Sequence, residues 1–551
     1  MKRFLWLGFV LFVYVTCTGC GDTFRPIIIP NPPQFPNPAA AHTVVSINDN
    51  GTVVGGSAMV IDVSGDTDVS VANVGLAPVH AVQQTANQVL VVNHSVTGAA
   101  ADSLTKLDFS STTINSTNTI SLPPNSAPTF VATTETNQAY VLMPSYVPDP
   151  INNPSVVVPS IAVVNTASNS IVATIPVGNN PVAMAETPNG QKLYVANQGG
   201  GTISGFNTVD RSARTVSGSL TSAPIWLTAR SDSQRVYVLE QTTGALASVD
   251  TTSTAGPDPL TETGISVPGA SIMVYDPNLN RLYIPGGQQM AIVDVSQSPP
   301  QLLATITIPP FAVLPSPTSV PATAVAAAAL PDGSRAYVAS YATLTSQLTI
   351  SSISGDGTNA TYAYTLTAGH DLTPGASITV TGTDSTQVTG FDGAFLVSAI
   401  VSGTTACPGT CFQVPNTTML AATPVSGSGT GSNIFPQVTA VWATSNTIKT
   451  TVGIPGFPDA TDPNTPMYYA AACVPPAPPT PYRATFRFMM AAGGDSSRAY
   501  LSSCDGGNVN IIDTSSDTYL SNLPAPVGTR APIPPNPLNP SQNSVFLIAG
   551  P

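Results

Sequence analysis

Short apolar runs alternate with clusters of Gly, Pro, Asn, Asp and Ser along most of this chain, the pattern of strands separated by turns. One phrase recurs within that pattern: a basic or polar residue, a small or aliphatic one, Tyr, then Val, Ile or Leu. It stands at Gln138-Ala139-Tyr140-Val141, Lys192-Leu193-Tyr194-Val195, Arg235-Val236-Tyr237-Val238, Arg281-Leu282-Tyr283-Ile284, Arg335-Ala336-Tyr337-Val338 and Arg498-Ala499-Tyr500-Leu501. Looser copies stand at Gln88-Val89-Leu90-Val91 and Ser544-Val545-Phe546-Leu547. Measured at the aromatic or its equivalent, successive spacings are 50, 54, 43, 46, 54, 163 and 46 residues. A period of this size, built of strand-like segments, predicts an all-β fold: a β-propeller of four-stranded antiparallel blades.

Residues 181–218 read as one such blade. A first strand at 181–185 meets the turn Pro188-Asn189-Gly190, whose Asn-Gly pair supplies the positive backbone angles of a tight hairpin. Strands at 192–197, 202–207 and 214–219 complete the unit. Third strands at 59–63, 161–165, 291–295 and 509–513 each carry Asp or Asn at or near the end (Asp62, Asn165, Asp294 and Asp513), side chains that start a turn by bonding their own downstream backbone. Eight second strands and eight third strands predict eight blades, with seven as the alternative. The chain reads as beginning with a third strand, 59–63, and ending with a second, 544–550; sharing one blade between the two ends closes the ring and removes exposed sheet edges.

Leu193-Tyr194-Val195-Ala196-Asn197, Ala162-Val163-Val164-Asn165-Thr166 and the handover Ala173-Thr174-Ile175-Pro176-Val177-Gly178-Asn179-Asn180-Pro181 resemble the YVTN-type β-propeller repeat of bacterial and archaeal surface proteins. The resemblance covers most of residues 43–551 and implies the propeller fold; its repeat residues build blades and are not a catalytic set. The wider superfamily it implies includes lactonases, which use polar residues at the channel mouth.

Between Tyr337 and Tyr500 the repeat is interrupted. The sixth blade is expected to pause after Ala339 and resume at Val438, with residues 346–435 forming a small inserted β module between a first propeller part, 43–345, and a second, 436–551. The segments His370-Asp371-Leu372-Thr373-Pro374-Gly375 and Phe391-Asp392-Gly393-Ala394-Phe395 resemble a small β module of secreted bacterial proteins. On a rigid ring, such an insertion is a natural carrier of recognition.

The N-terminus changes the picture from fold to address. Lys2 and Arg3 precede an apolar run at 4–15, too short to span a bilayer, and Thr18-Gly19-Cys20 resembles a bacterial lipobox. Residues 1–19 are therefore expected to be a signal peptide and Cys20 the lipidated residue. A Pro-rich tether at 20–42 follows. The mature chain is expected to be exported and lipid-anchored to the bacterial cell envelope, at the outer membrane or cell surface.

Only 8% of residues are charged and the net charge is -13, which leaves no basic footprint for nucleic acid. Cys407, Cys411, Cys473 and Cys504 remain in the mature chain, and three disulfide pairings are open to them. Pro408 and Gly409 favour a tight turn that joins Cys407 to Cys411, leaving Cys473 for Cys504; zinc is the alternative use.

Candidate chemistry is sparse. The four histidines, His42, His80, His94 and His370, show no metal-like spacing, and no nucleophile elbow, phosphate loop or haem-attachment motif is present. First strands, which line a propeller's channel, are small and apolar. Glu135, Glu186, Arg230 and Arg487 are the polar exceptions at the channel mouth and the ligand-binding candidates. Asp62, Asp66 and Asp68 form the densest acidic cluster and are a calcium candidate, although the full twelve-residue calcium loop is missing. These features point to a non-enzymatic binding or interaction scaffold, without a cofactor, held to the membrane by lipid and engaging a protein or glycan partner. A lactonase-like hydrolytic propeller and an accessory subunit of an envelope redox complex are the alternatives.

Overall fold

The computed structural model describes residues 42–51, 54–94, 102–312, 319–372, 376–386, 388–404, 407–454, 488–504, 506–528 and 541–550. The expected signal peptide at 1–19, the expected lipid-bearing Cys20, most of the expected tether at 20–42, Cys473 and Arg487 lie outside them. The chain is an all-β propeller. Seven four-stranded antiparallel blades make up most of the ring, and one further unit, the sixth blade in chain order, has its two middle strands drawn out into a larger sheet.

Burial explains why the strands differ in composition. The second strand Lys192–Asn197 is buried at every position, as is most of the third strand Ser160–Asn165, because both faces are covered by adjacent blades. Such strands read as continuous apolar runs. The outermost strand Ser170–Pro176 faces solvent on one side and alternates between exposed and covered positions. The tyrosines of the recurring phrase, Tyr140, Tyr194, Tyr237, Tyr283, Tyr337 and Tyr500, lie wholly buried between blades. The turn-starting side chains act as their positions suggest: Asp62 accepts from Ser64 N–H at 2.9 Å, Asn165 from Ala167 N–H at 3.0 Å and Asp513 from Ser515 N–H at 2.8 Å.

The ring closes differently from the sequence expectation. Thr43–Asp49 is the second strand of the closing blade, Ser57–Asp62 the third and Thr67–Asn73 the outermost; the C-terminal strand Asn543–Ala549 is innermost and pairs antiparallel with Thr43–Asp49. Thr43–Asp49 carries no aromatic marker, so the repeat count passes over it, and Phe546 stands at the channel instead of between blades. Side-chain hydrogen bonds cross this seam: Ser46 Oγ lies 2.7 Å from Ser544 Oγ, and Ser57 Oγ donates to Gln542 Oε1 at 2.7 Å.

The sixth blade does not pause. Its second strand runs unbroken from Arg335 to Asp356 and its third from Met419 to Trp442, paired from Arg335↔Trp442 to Asp356↔Met419. Up to Ser340 the strand is buried on both faces; beyond Ala342 it switches to strict alternation, the mark of its exit from the ring. There it joins Asn359–Gly369, Ser377–Thr381, Gly393–Leu396, Ala399–Thr404 and Cys407–Pro415 in one sheet. This sheet curls round its own core, in which Tyr362 stacks on Phe412 at 4.7 Å beside Ile350, Ile378 and Phe391. Val397 N–H donates to Ala376 O at 2.9 Å and Ser398 N–H to Gln413 O at 2.8 Å, bringing the two edges of the sheet together. Cys407 and Cys411 form a disulfide at the Cys407–Pro415 strand. Cys504 is buried and also disulfide-bonded; its expected partner, Cys473, is outside the described residues.

Candidate functional site

Two regions of the channel bring polar or aromatic side chains together. The first lies at the axis. His80, on the innermost strand Pro78–Thr85 of the first blade, stacks on Phe130 of the second at 3.8 Å and lies 4.6 Å from Phe546 of the closing blade. Phe130 meets Trp226 of the fourth blade edge-on at 5.7 Å. Blades that are not neighbours in the ring thus touch through aromatic rings. Burial pushes His80 down to about 3, so the imidazole is neutral at physiological pH, and its Nδ1 accepts from Val131 N–H at 3.4 Å. This histidine is a packing element of an apolar plug.

The second region is the channel end where first strands turn into second strands. Glu186 ends the innermost strand Pro181–Glu186 of the third blade. Its Oε2 accepts from Thr134 N–H at 2.6 Å, in the turn of the second blade that also carries Glu135. Gln84 of the first blade donates to Glu135 O at 2.9 Å and to Gln138 O at 3.2 Å, so three blades converge here. Gly190, at φ 66°, leaves the space Glu135 occupies: a Cβ there would come within 3.2 Å of Glu135 Oε1. Tyr140 adds a phenol hydrogen-bonded to Gln138.

Glu186 is only 5% exposed, and its Oε1 is buried without a hydrogen-bond partner. Burial pushes its carboxyl up to about 7; the Thr134 donors oppose this and the Glu135 charge adds to it. A carboxyl in this state holds a proton near neutral pH and can donate it to, or accept one from, a group entering the mouth. Of the four mouth candidates, the structure therefore brings Glu135 and Glu186 together. Arg230 is engaged elsewhere: its guanidinium holds Asp232 at 2.7 Å and Val295 O at 2.6 Å, fastening the fourth blade to the fifth.

The acidic cluster at 62–68 is taken apart by the fold. Asp66 pairs with Arg498 at 2.8 Å and accepts from Tyr500 at 3.3 Å, while Asp62 serves its own turn. Among the described residues no three His, Cys, Asp or Glu side chains gather as metal ligands, and Asp62 and Asp66 are engaged by different partners.

What the sequence reading missed is that in three of the repeats, those of Tyr194, Tyr337 and Tyr500, the basic residue and the tyrosine work as a pair on an aspartate of the next blade. Tyr194 donates to Asp258 at 2.7 Å, and Lys192 and Arg214 reach the same carboxylate at 2.9 and 2.7 Å. Tyr337 donates to Asp517, which Arg335 approaches at 3.3 Å. The shared Arg/Lys-x-Tyr spacing was the available signal; the matching Asp lies too far along the chain to be recognised.

No family model matches the chain, and no curated protein matches it. Solved structures similar to it include apo AztD from Citrobacter koseri, 9% identical over 93% of this chain and 98% of that one, TM-score 0.45. A functionally unknown protein from Desulfotomaculum acetoxidans is 10% identical over 60% of this chain and 95% of its own, TM-score 0.42. The Dos1 propeller is 11% identical over 52% and 71%, TM-score 0.36. Likenesses this distant carry no argument, and no ligand or activity is taken from them.

Proposed function

We propose that this chain is a non-enzymatic, lipid-anchored propeller of the bacterial cell envelope, kin to the YVTN-repeat surface proteins, that presents its inserted module to a protein or glycan partner. A propeller suits a binding or scaffold role because the ring fixes position while its insertions and loops make contacts. The observation that carries the reading is the unbroken passage of Arg335–Asp356 and Met419–Trp442 from blade into module, which gives the module its own core on a rigid stem. The lipobox at Cys20 supports the address.

The test is affinity capture from native membranes with the intact lipoprotein and with residues 346–435 replaced by a tight turn. A partner retained by the first and lost by the second is expected; identical captures from both sink the role given to the module. Loss of lipid labelling in Cys20→Ser checks the anchor. A hydrolytic reading is favoured by one observation, the buried Glu186 carboxyl with its unpartnered oxygen. Lactone turnover that disappears in Glu186→Gln would replace the scaffold reading with that one.

A further inference from the structure

On the fourth blade, at the opposite ends of the strands from Glu186, two carboxyls face each other. Glu240 ends the second strand Arg235–Glu240 and is wholly buried; Glu262 lies half-buried on the outermost strand Asp258–Ser266. The crossover from the third blade is held by both. Thr221 donates its N–H to Glu262 Oε1 at 3.0 Å and its hydroxyl to Glu240 Oε2 at 2.8 Å, and Ser222 N–H reaches Glu240 Oε2 as well. Glu240 Oε1 is buried and receives no hydrogen bond from an N–H or O–H donor of the described residues, while the Glu262 carboxyl stands within hydrogen-bonding reach of the Glu240 carboxyl. No basic side chain is among the groups acting on Glu262.

Two carboxylates this close repel unless something positive lies between them. Basic side chains stabilise Asp258, Asp517 and Asp66 elsewhere in the ring; among the described residues this pair has none. The donors available are all oxygen: the open Glu240 oxygen, the Glu262 carboxylate and the Thr221 hydroxyl. That set suits a hard divalent cation of the calcium class, and the partial exposure of Glu262 leaves room for water to complete the coordination. We propose that Glu240 and Glu262 form a calcium-class cation site that fastens the crossover at 220–222 and so locks the third blade to the fourth. The site is separate from the acidic cluster at 62–68 and independent of the scaffold role.

The full chain, stripped with EDTA, is titrated with CaCl2 at pH 8 by calorimetry, and amide hydrogen exchange at Thr221 and Ser222 is followed with and without the ion. Calcium uptake is expected to weaken by about tenfold or more in Glu262→Gln. Exchange at both amides of the unsubstituted protein is expected to slow when calcium is added. Absence of uptake, uptake undiminished in Glu262→Gln, or exchange indifferent to calcium each overturns the proposal and leaves a proton as what the pair shares. The exchange measurement needs no variant, so it decides the matter even where Glu262→Gln fails to fold.

Discussion

Arg498 Nε lies 2.8 Å from Asp66 Oδ2, an ion pair between residues 432 positions apart. Tyr500, two residues on, adds its hydroxyl to the same carboxylate. The contact joins the seventh blade to the blade that the N- and C-terminal strands share. Its counterparts, Tyr337 on Asp517 and Tyr194 on Asp258, join other blades by the same means. A propeller's blades meet through apolar faces that slide easily past one another; a charged, directional contact at these three joints fixes the angle between them.

Asp66→Ala is expected to lower the stability of the ring by about 2–3 kcal/mol, because it leaves a buried phenol without its acceptor and a half-buried guanidinium with only Asp513 and the Ser497 carbonyl. Urea unfolding of Asp66→Ala, Arg498→Ala and the double variant checks this. Non-additive losses are expected, since both single changes break one contact; strictly additive losses would mean the two side chains stabilise the ring separately.

His80 predicts an acid limb. Its folded value of about 3 lies below the ordinary 6.5, so between these limits the unfolded chain takes up a proton that the native protein refuses. Stability therefore rises with pH from about 3 to 6.5 and is lost on acidification. His80→Phe keeps the stack on Phe130 but removes the titrating group. It is expected to cost about 1 kcal/mol at pH 7, where Val131 N–H loses its acceptor, and to flatten the acid limb of the melting temperature between pH 4 and 6.5. An unchanged limb would place the acid sensitivity in another group.

The repeat was legible because burial on both faces of Lys192–Asn197 or Arg335–Ser340 forces runs of apolar residues, and because one tyrosine per blade survives at a fixed place in them. Thr43–Asp49 escaped notice because Val45 stands where other second strands place an aromatic: it pairs with Val60 as Tyr283 pairs with Ile292. The extension of the sixth blade was partly legible: alternation in residues 342–353 is plain in sequence, but that it continues the blade's own strand depends on pairing with residues some 80 positions later. Glu186 could be named from its place at a strand end. Its state could not, since that depends on Thr134 and Glu135 across a blade joint. Glu240 and Glu262 were not singled out, because neither spacing nor motif sets them apart from surface glutamates.

The module's independence gives a third expectation. Phe412 is wholly buried and stacks on Tyr362, whose hydroxyl donates to Phe391 O at 2.8 Å. Phe412→Ala is expected to cost the module about 3–5 kcal/mol. The ladder from Arg335 to Ala342 belongs to the ring's own core, so limited proteolysis should cut within residues 346–435 while the blades stay intact. Simultaneous cleavage throughout the chain would show that module and ring unfold as one unit.

Glu186 produces the opposite slope to His80. Its folded value of about 7 lies above the ordinary 4.5, so across that interval the native protein holds a proton that the unfolded chain has released. Stability contributed by this group is complete below about 4.5 and falls as pH rises to about 7, then levels off. Between pH 4.5 and 6.5 it opposes the His80 slope, and the unsubstituted protein is expected to show a flattened profile there. Glu186→Gln stays neutral at every pH, so it should steepen the rise from 4.5 to 6.5 and melt higher than the unsubstituted protein above pH 7. Melting scans at half-unit steps on Glu186→Gln, His80→Phe and the double variant separate the two. A lower melting point for Glu186→Gln at pH 8 would mean that the ionised carboxylate is stabilised by a partner at the channel mouth.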